Sequence, residues 1–297
     1  MLDLSFKLPG DLTARVTSEA DLAVEEEQRM LVRAYVPGLE IVAKPQENPD
    51  IHIHHQESTD QKLLSEGNRL TVCDAWRNQF SFDIYHLLYS AARVKFLEKG
   101  LFSVHSSCVE DEKGHTLIVG HSGSGKTTTA LDLVQNHGKK MSSGNKTLIA
   151  FDEKATMRVM AGTPTMTIRQ SDRERYASVI DRRITYYDRM AFELNPKQCT
   201  SSFGGPLRTI VLVRLHDGLS DTKKMSPTSA LHALYPYFLD TEEANTVVCG
   251  GYGVFTGTPP EGVPQQLALS LKKALEHVEV YSVAGPLSFV SQTISTL

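Results

Sequence analysis

Residues 120–128 read Gly-His-Ser-Gly-Ser-Gly-Lys-Thr-Thr and match the pattern G-x-x-x-x-G-K-[ST]. This pattern constrains the fold more than anything else in the chain, because it works at one kind of junction: a strand runs in and a helix runs out. Both neighbours are present. Residues 115–119, His-Thr-Leu-Ile-Val, read as the strand, and residues 128–134, Thr-Thr-Ala-Leu-Asp-Leu-Val, read as the helix. Glycines let the backbone curl until several N–H groups face one point, and the helix N-terminus adds a favourable dipole there. Lys126 supplies a point charge for the β- and γ-phosphates, and the Thr127 hydroxyl is the candidate Mg²⁺ ligand. Gly120, His121, Ser122, Gly123, Ser124, Gly125, Lys126, Thr127 and Thr128 are therefore the candidate nucleotide-binding residues, with ATP and Mg²⁺ the expected cofactors.

The rest of the chain sets bounds. At 297 residues there is room for one large or two smaller domains. A composition of 40% hydrophobic and 22% charged residues is that of an ordinary globular protein, and a formal net charge of −4 gives no reason to expect nucleic acid as a partner. No apolar run reaches the ~18 residues of a membrane span, and the N-terminus lacks the basic-then-apolar order of a signal peptide. No membrane partner and a cytoplasmic location are the expectations; homo-oligomerisation stays open. Cys73, Cys108, Cys199 and Cys249 are far apart without C-x-x-C spacing and read as reduced thiols.

Residues 1–100 are expected to form a smaller α+β module and residues 101–297 the nucleotide-binding domain. Short strands are expected over residues 39–43, 51–54 and 69–73. Helices are expected over 20–32 and, ending at Gly100, over 84–99. Further strands are expected at 101–109, 147–151, 157–160, 165–168, 207–215 and 278–283. Ser226 and Pro227 open a helix, and another spans 265–277. The arginines between residues 169 and 189 alternate with acids and read as a solvated helix face, with an arginine directed at a transferring phosphoryl group as the sharper alternative. His52, His54 and His55 read as surface histidines, since no Cys or carboxylate stands at metal-ligand spacing.

From Leu101 onward the order of features resembles the HPr kinase/phosphorylase family and its HPr-kinase-like serine kinase relatives. The resemblance is carried by the strand Val104-His105-Ser106-Ser107-Cys108-Val109, whose histidine stands fifteen residues ahead of Gly120. The phosphate loop, the helix Ala130-Leu131-Asp132-Leu133, and the closing rhythm with Val280-Tyr281-Ser282-Val283 and Pro286-Leu287 add to it. It implies an α/β fold of the phosphoenolpyruvate-carboxykinase-like P-loop type. It also implies a kinase that moves the γ-phosphoryl group of ATP to a hydroxyl acceptor, either a Ser of a protein or peptide or a small-molecule alcohol. His105 is carried over as a candidate catalytic residue. The sequence departs from the family in one place: Gly144-Asn145 stand where the family has two aspartates, the first of them the general base. An amide oxygen does not take a proton at neutral pH. Asn145 and Lys146 then read as candidate phosphate contacts. Asp152, at the end of a strand expected in the P-loop sheet, is the replacement acid and metal ligand, with Glu153 behind it. Loss of the acid pair keeps a second function open, a nucleotide-binding regulatory module that no longer transfers phosphate. A phosphoenolpyruvate carboxykinase fits less well, as the chain is short and has no dense set of acidic and histidine ligands.

Overall fold

In the computed structural model the described residues are 2–19, 32–60, 62–74, 80–169, 174–186, 189–200, 202–239, 246–249, 253–256 and 258–297. The expected helix over 20–32 therefore falls almost wholly outside them, and only its end is seen, as a helical turn over 32–35.

The first hundred residues build a six-stranded sheet from β1 (Leu2–Leu8), β2 (Leu12–Ser18), β3 (Glu40–Val42), β4 (Ile51–Glu57), β5 (Lys62–Glu66) and β6 (Arg69–Asp74), in the order β3-β1-β2-β4-β6-β5. β2 alternates buried and half-buried residues, so one face is apolar and the other polar. Helix α1 (Phe80–Glu98) covers the apolar face with Leu87, Leu88, Ala91, Ala92 and Phe96, packed on Phe6, Val16, Ile53 and Val72. Leu148, Ala161 and Ala191, from the later part of the chain, complete this core.

The second half is built on strands β7 (Leu101–His105), β8 (Ser107–Asp111), β9 (Gly114–Val119), β10 (Lys140–Ser143), β11 (Lys146–Phe151) and β12 (Met157–Gly162). After them come β13 (Thr165–Arg169), β14 (Ile180–Tyr186), β15 (Arg189–Leu194), β16 (Leu207–Leu215), β17 (Asp221–Lys224), β18 (Thr246–Cys249), β19 (Gly253–Thr256) and β20 (Glu279–Gly285). Its helices are α2 (Lys126–His137), α3 (Pro227–Leu239), α4 (Val263–Ala274) and α5 (Leu287–Thr296). The main sheet has six strands in the order β10-β8-β9-β16-β20-β17, and its three central strands, β9, β16 and β20, are parallel. A parallel sheet needs both faces covered. On one face α2 and α5 bury Ala130, Leu131, Leu133, Val290 and Ile294 against Ile118, Val211 and Val283. On the other, α3 and α4 bury Leu234, Phe238, Leu267 and Leu271 with Leu117, Val119, Ile210 and Val280. The result is a mixed α/β fold.

Two expectations change. The strand expected over 101–109 breaks at Ser106. β8 stays in the main sheet, while β7 pairs with β11 in a separate three-stranded sheet, β12-β11-β7. Among the described residues, the arginine-rich segment, expected as a helix face, contains the end of β13, a 3₁₀ turn (Glu174–Tyr176) and the antiparallel pair β14–β15, while Arg173 lies outside the described residues. Met190, Phe192 and Leu194 on β15 fall at every second position, and that period of two decides for a strand.

His115, in β9, has no exposed surface; its Nδ1 lies 3.0 Å from Ser142 Oγ. Burial is the main cause that holds its pKa below the ordinary histidine value, against the opposing pull of Glu110 and Asp111. The imidazole thus stabilises the fold as the neutral form. That stability is complete above the unfolded pKa of about 6.5 and is lost as pH falls below it toward the folded value. Urea midpoints measured between pH 7.5 and pH 5 should fall for the parent and fall less for His115→Asn; equal slopes for the two proteins would contradict the assignment.

Candidate nucleotide site

The loop 120–125 leaves the carboxyl end of β9 and enters α2 at Lys126. It is held from the neighbouring strand. The Leu215 N–H at the end of β16 donates to Ser124 O at 2.9 Å, and the Ser124 N–H closes the turn on His121 O at 3.1 Å. This contact leaves no space at Gly125. Its φ is +99°, and a Cβ there would lie 2.3 Å from the Leu215 side chain. Gly120 is equally confined, with Val213 O 2.8 Å from the Cβ position. The two glycines are thus required by φ and by contact with β16. Around Gly123 the space is open on the solvent side.

Lys126 is only 7% exposed, and its ammonium turns back on its own loop, donating to Gly120 O at 2.7 Å and His121 O at 3.2 Å. Thr127 and Thr128 are half-buried in the first turn of α2, which begins at a left-handed glycine with no side-chain cap and no acid in that turn. The first N–H groups of the helix therefore carry no side-chain acceptor. Ser124 Oγ is buried without a hydrogen-bond partner. An uncapped helix start, an inward lysine and an orphaned hydroxyl fit an anionic phosphate and its metal. His121 is exposed at the mouth, its ring 5.8 Å from that of Tyr237 at the end of α3.

By register Ser107 stands opposite Ile118 and, where β10 pairs with β8, Ser143 stands opposite Cys108, so His105 and residues 144–146 leave the main sheet at the same end as the loop. The chain then leaves that sheet through Gly144 and Asn145, where a knot of hydrogen bonds centres on Thr163. Thr163 Oγ1 accepts from the Asn145 and Lys146 amides at 2.9 and 3.0 Å, and Thr163 O accepts from the Gly144 amide at 3.0 Å. The Asn145 side chain is engaged within the protein. Its Nδ2 donates to Ala34 O at 2.7 Å, pinning the 32–35 turn. Gly144 is backed onto Met166, whose Cγ would lie 1.8 Å from a Cβ placed there. The expectation that Asn145 contacts phosphate is thus corrected: its amide is spent on the backbone. Lys146 is 2% exposed with its Nζ 4.4 Å from the centre of the Tyr89 ring, so it too is built into the interior. His105 ends β7, opposite Lys146 in register, at the corner where the chain passes into β8.

Asp152 is also corrected. Its strand, β11, belongs to the three-stranded sheet and not to the sheet that carries the phosphate loop. The carboxylate folds its own turn. It accepts from the Thr156 amide at 2.9 Å, the Lys154 amide at 3.0 Å and Arg158 Nε at 3.0 Å. The Thr156 amide is the first cause that holds its pKa below the usual carboxylate range, with Arg158 adding to it. The groove beside Asp152 and Glu153 is lined by Gln266, Lys273 and His277 of α4 and the turn leading to the amino end of β20, whereas the loop stands at the carboxyl ends of these parallel strands. A carboxylate so placed and so occupied serves neither as base nor as metal ligand for this loop.

One acid that the sequence reading passed over stands nearer. Asp217 follows β16 by two residues and is exposed, and β16 is the strand whose Leu215 amide holds the loop. Its signal was an apolar strand over residues 209–213 with an acid just beyond its end, the arrangement by which P-loop proteins place a metal-binding aspartate. His52 and His54 share the polar face of the N-terminal sheet, both hydrogen-bonded to Thr17 Oγ1 at 3.0 and 2.9 Å. Among the described residues no three His, Cys, Asp or Glu side chains are grouped to hold a metal. Nor is any helix of the described residues long and apolar enough to cross a membrane.

The packing at residue 144 gives a direct test. Gly144→Asp, which restores the family's first acid, should destabilise the protein by about 1–3 kcal/mol through overpacking. Met166→Ala in the same chain should recover part of that loss. Denaturant midpoints of the parent and the two variants decide it: an unchanged midpoint in Gly144→Asp alone would contradict the contact.

No family model matches the chain, and no curated protein matches it. Among solved structures, the HPr(Ser) kinase/phosphatase from Coxiella burnetii is matched over 66% of this chain and 92% of that one, at 10% identity and a TM-score of 0.31.

Proposed function

We propose that this chain binds a nucleoside triphosphate with Mg²⁺ on the loop 120–128 and acts as a nucleotide-dependent module of the HPr-kinase-like, phosphoenolpyruvate-carboxykinase-like P-loop type. The observation that carries the reading is the loop itself: Gly120 and Gly125 are held against β16, and the uncapped α2 starts beside Lys126. The loop amides would hold the β-phosphate, Lys126 would exchange its bonds to Gly120 O and His121 O for phosphate oxygens, and Thr127 would ligate the metal. Bound Mg²⁺ supplies charge neutralisation between the phosphates.

Whether phosphate is transferred is the finer question. The aspartate-pair position holds Gly144 against Met166 and Asn145 tied to Ala34, which favours a regulator that reads nucleotide state without transfer. A second reading, an ATP-dependent kinase acting on a hydroxyl acceptor, is favoured by Asp217 at the end of β16. There Asp217 would take the acceptor's proton or hold the metal, and Lys126 would stabilise charge on the migrating group.

Lys126→Ala should abolish triphosphate binding while the chain still folds, with some loss of stability from the freed Gly120 and His121 carbonyls. Thr127→Ala should weaken binding with Mg²⁺ more than binding without it. Calorimetric titrations of ATP with and without Mg²⁺ check both, and parental affinity in Lys126→Ala would remove the loop from the reading. For transfer, γ-labelled ATP is incubated with peptide and small-alcohol acceptors. A labelled product that falls ~10²–10⁴-fold in Asp217→Asn, with ATP binding retained, supports the kinase. Tight binding with no labelled product supports the regulator.

A further inference from the structure

The main sheet ends on β17, and all four of its residues are exposed. Its inner side is paired with β20 in the register Asp221 to Ala284 and Lys223 to Ser282, and the Met225 amide continues the ladder to Val280 O at 2.8 Å. Residues in an antiparallel ladder alternate between bonding inward and outward. Residues 221, 223 and 225 therefore spend their backbone groups on β20, while Thr222 and Lys224 turn N–H and C=O away from the sheet. An open edge of this kind is a template for another strand. Just before it, Leu219 is 91% exposed, an apolar side chain standing in water.

We propose that this edge is an interface between two copies of the chain, paired antiparallel about a two-fold axis at Thr222. The side-chain pattern selects this register. Outward-facing residues meet only outward-facing residues, so within β17 an isologous pair is centred on Asp221, Thr222, Lys223 or Lys224, and the first of these sets two aspartates opposite each other. Centred on Thr222, Asp221 stands opposite the partner's Lys223 and Leu219 opposite the partner's Met225, each contact occurring twice. Centred on Lys223, two lysines meet; centred on Lys224, Lys223 meets the partner's Met225 and no opposite charges face each other. Like charges directly opposite are unfavourable and opposite charges favourable across a strand pair. Lys224 does not disturb the chosen register, because its ammonium is engaged by Glu279 on β20. The segment Leu219-x-Asp221-Thr222-Lys223-x-Met225 is thus self-complementary when reversed, as an isologous contact requires. Lysines on an open edge ordinarily keep strands apart; here the reversed copy brings an aspartate to meet Lys223. The pairing joins two six-stranded sheets into one, independently of whether nucleotide binds.

Sedimentation equilibrium from micromolar to near-millimolar protein tests this. The parent should pass from monomer to dimer, more weakly at high salt. Asp221→Lys and Lys223→Asp should each stay monomeric, since like charges then meet twice. An equimolar mixture of the two should associate as a heterodimer, because the introduced lysine now faces the introduced aspartate. Thr222→Pro removes one outward N–H without touching the β20 ladder and should also be monomeric. Circular dichroism melts close to the parent's confirm that the variants fold, as expected for exposed positions. A parent that stays monomeric throughout, a single charge variant that dimerises like the parent, or a mixture that fails to associate overturns the proposal. So does dimerisation that appears only with an added acidic peptide.

Discussion

Thr163 makes the bonds on which the second half of the chain depends. One hydroxyl accepts two amides and one carbonyl accepts a third, where the chain changes sheets between β10 and β11. There the chain leaves the P-loop sheet, and β11 joins the three-stranded one. With this change, Gly144 is pressed onto Met166, Asn145 reaches Ala34 and Lys146 is drawn inside beneath Tyr89. A buried donor left without its acceptor costs about 1–3 kcal/mol, so several amides satisfied by one threonine fix this corner firmly. The same corner fixes how residues 144–146 are packed.

The phosphate loop was legible because its requirements are local. A strand, three glycines and an uncapped helix start lie within about twenty consecutive residues, and periodicity and turn chemistry act over that range. The helix opened by Ser226 and Pro227 was legible for the same reason, and the Ser229 amide does bond Ser226 Oγ at 3.2 Å. What could not be read was which sheet each strand joins. Residues 147–151 look alike whether they run beside β9 or turn away from it. The deciding bonds come from Thr163, Ala34 and Ser106, distant in sequence. Asp152 was placed near the phosphates on that missing information. The role of Asp217 depends on β16 being the neighbour of β9, a pairing that local pattern does not encode. The strands over residues 2–8 and 12–18 do carry a local signal, the period of two in Leu2, Leu4, Phe6 and Leu8 and in Leu12, Ala14 and Val16.

The site and the fold meet at β16. Leu215 closes Gly125 with its side chain and holds Ser124 with its amide, and two residues later the chain presents Asp217. Strand and loop are therefore one mechanical unit, and a substitution that shifts β16 will be felt at the phosphates without touching them.

The bond from Asn145 to Ala34 has a consequence for how such a chain can evolve. Its donor and acceptor lie 111 positions apart, and Leu148, Ala161 and Ala191 reach into the same shared core. The amino-terminal portion is therefore not a detachable accessory. A recombination event that exchanged it for an unrelated domain would strip an acceptor and an apolar wall from the portion left behind. A change at one side of this seam would have to be accommodated by packing at the other.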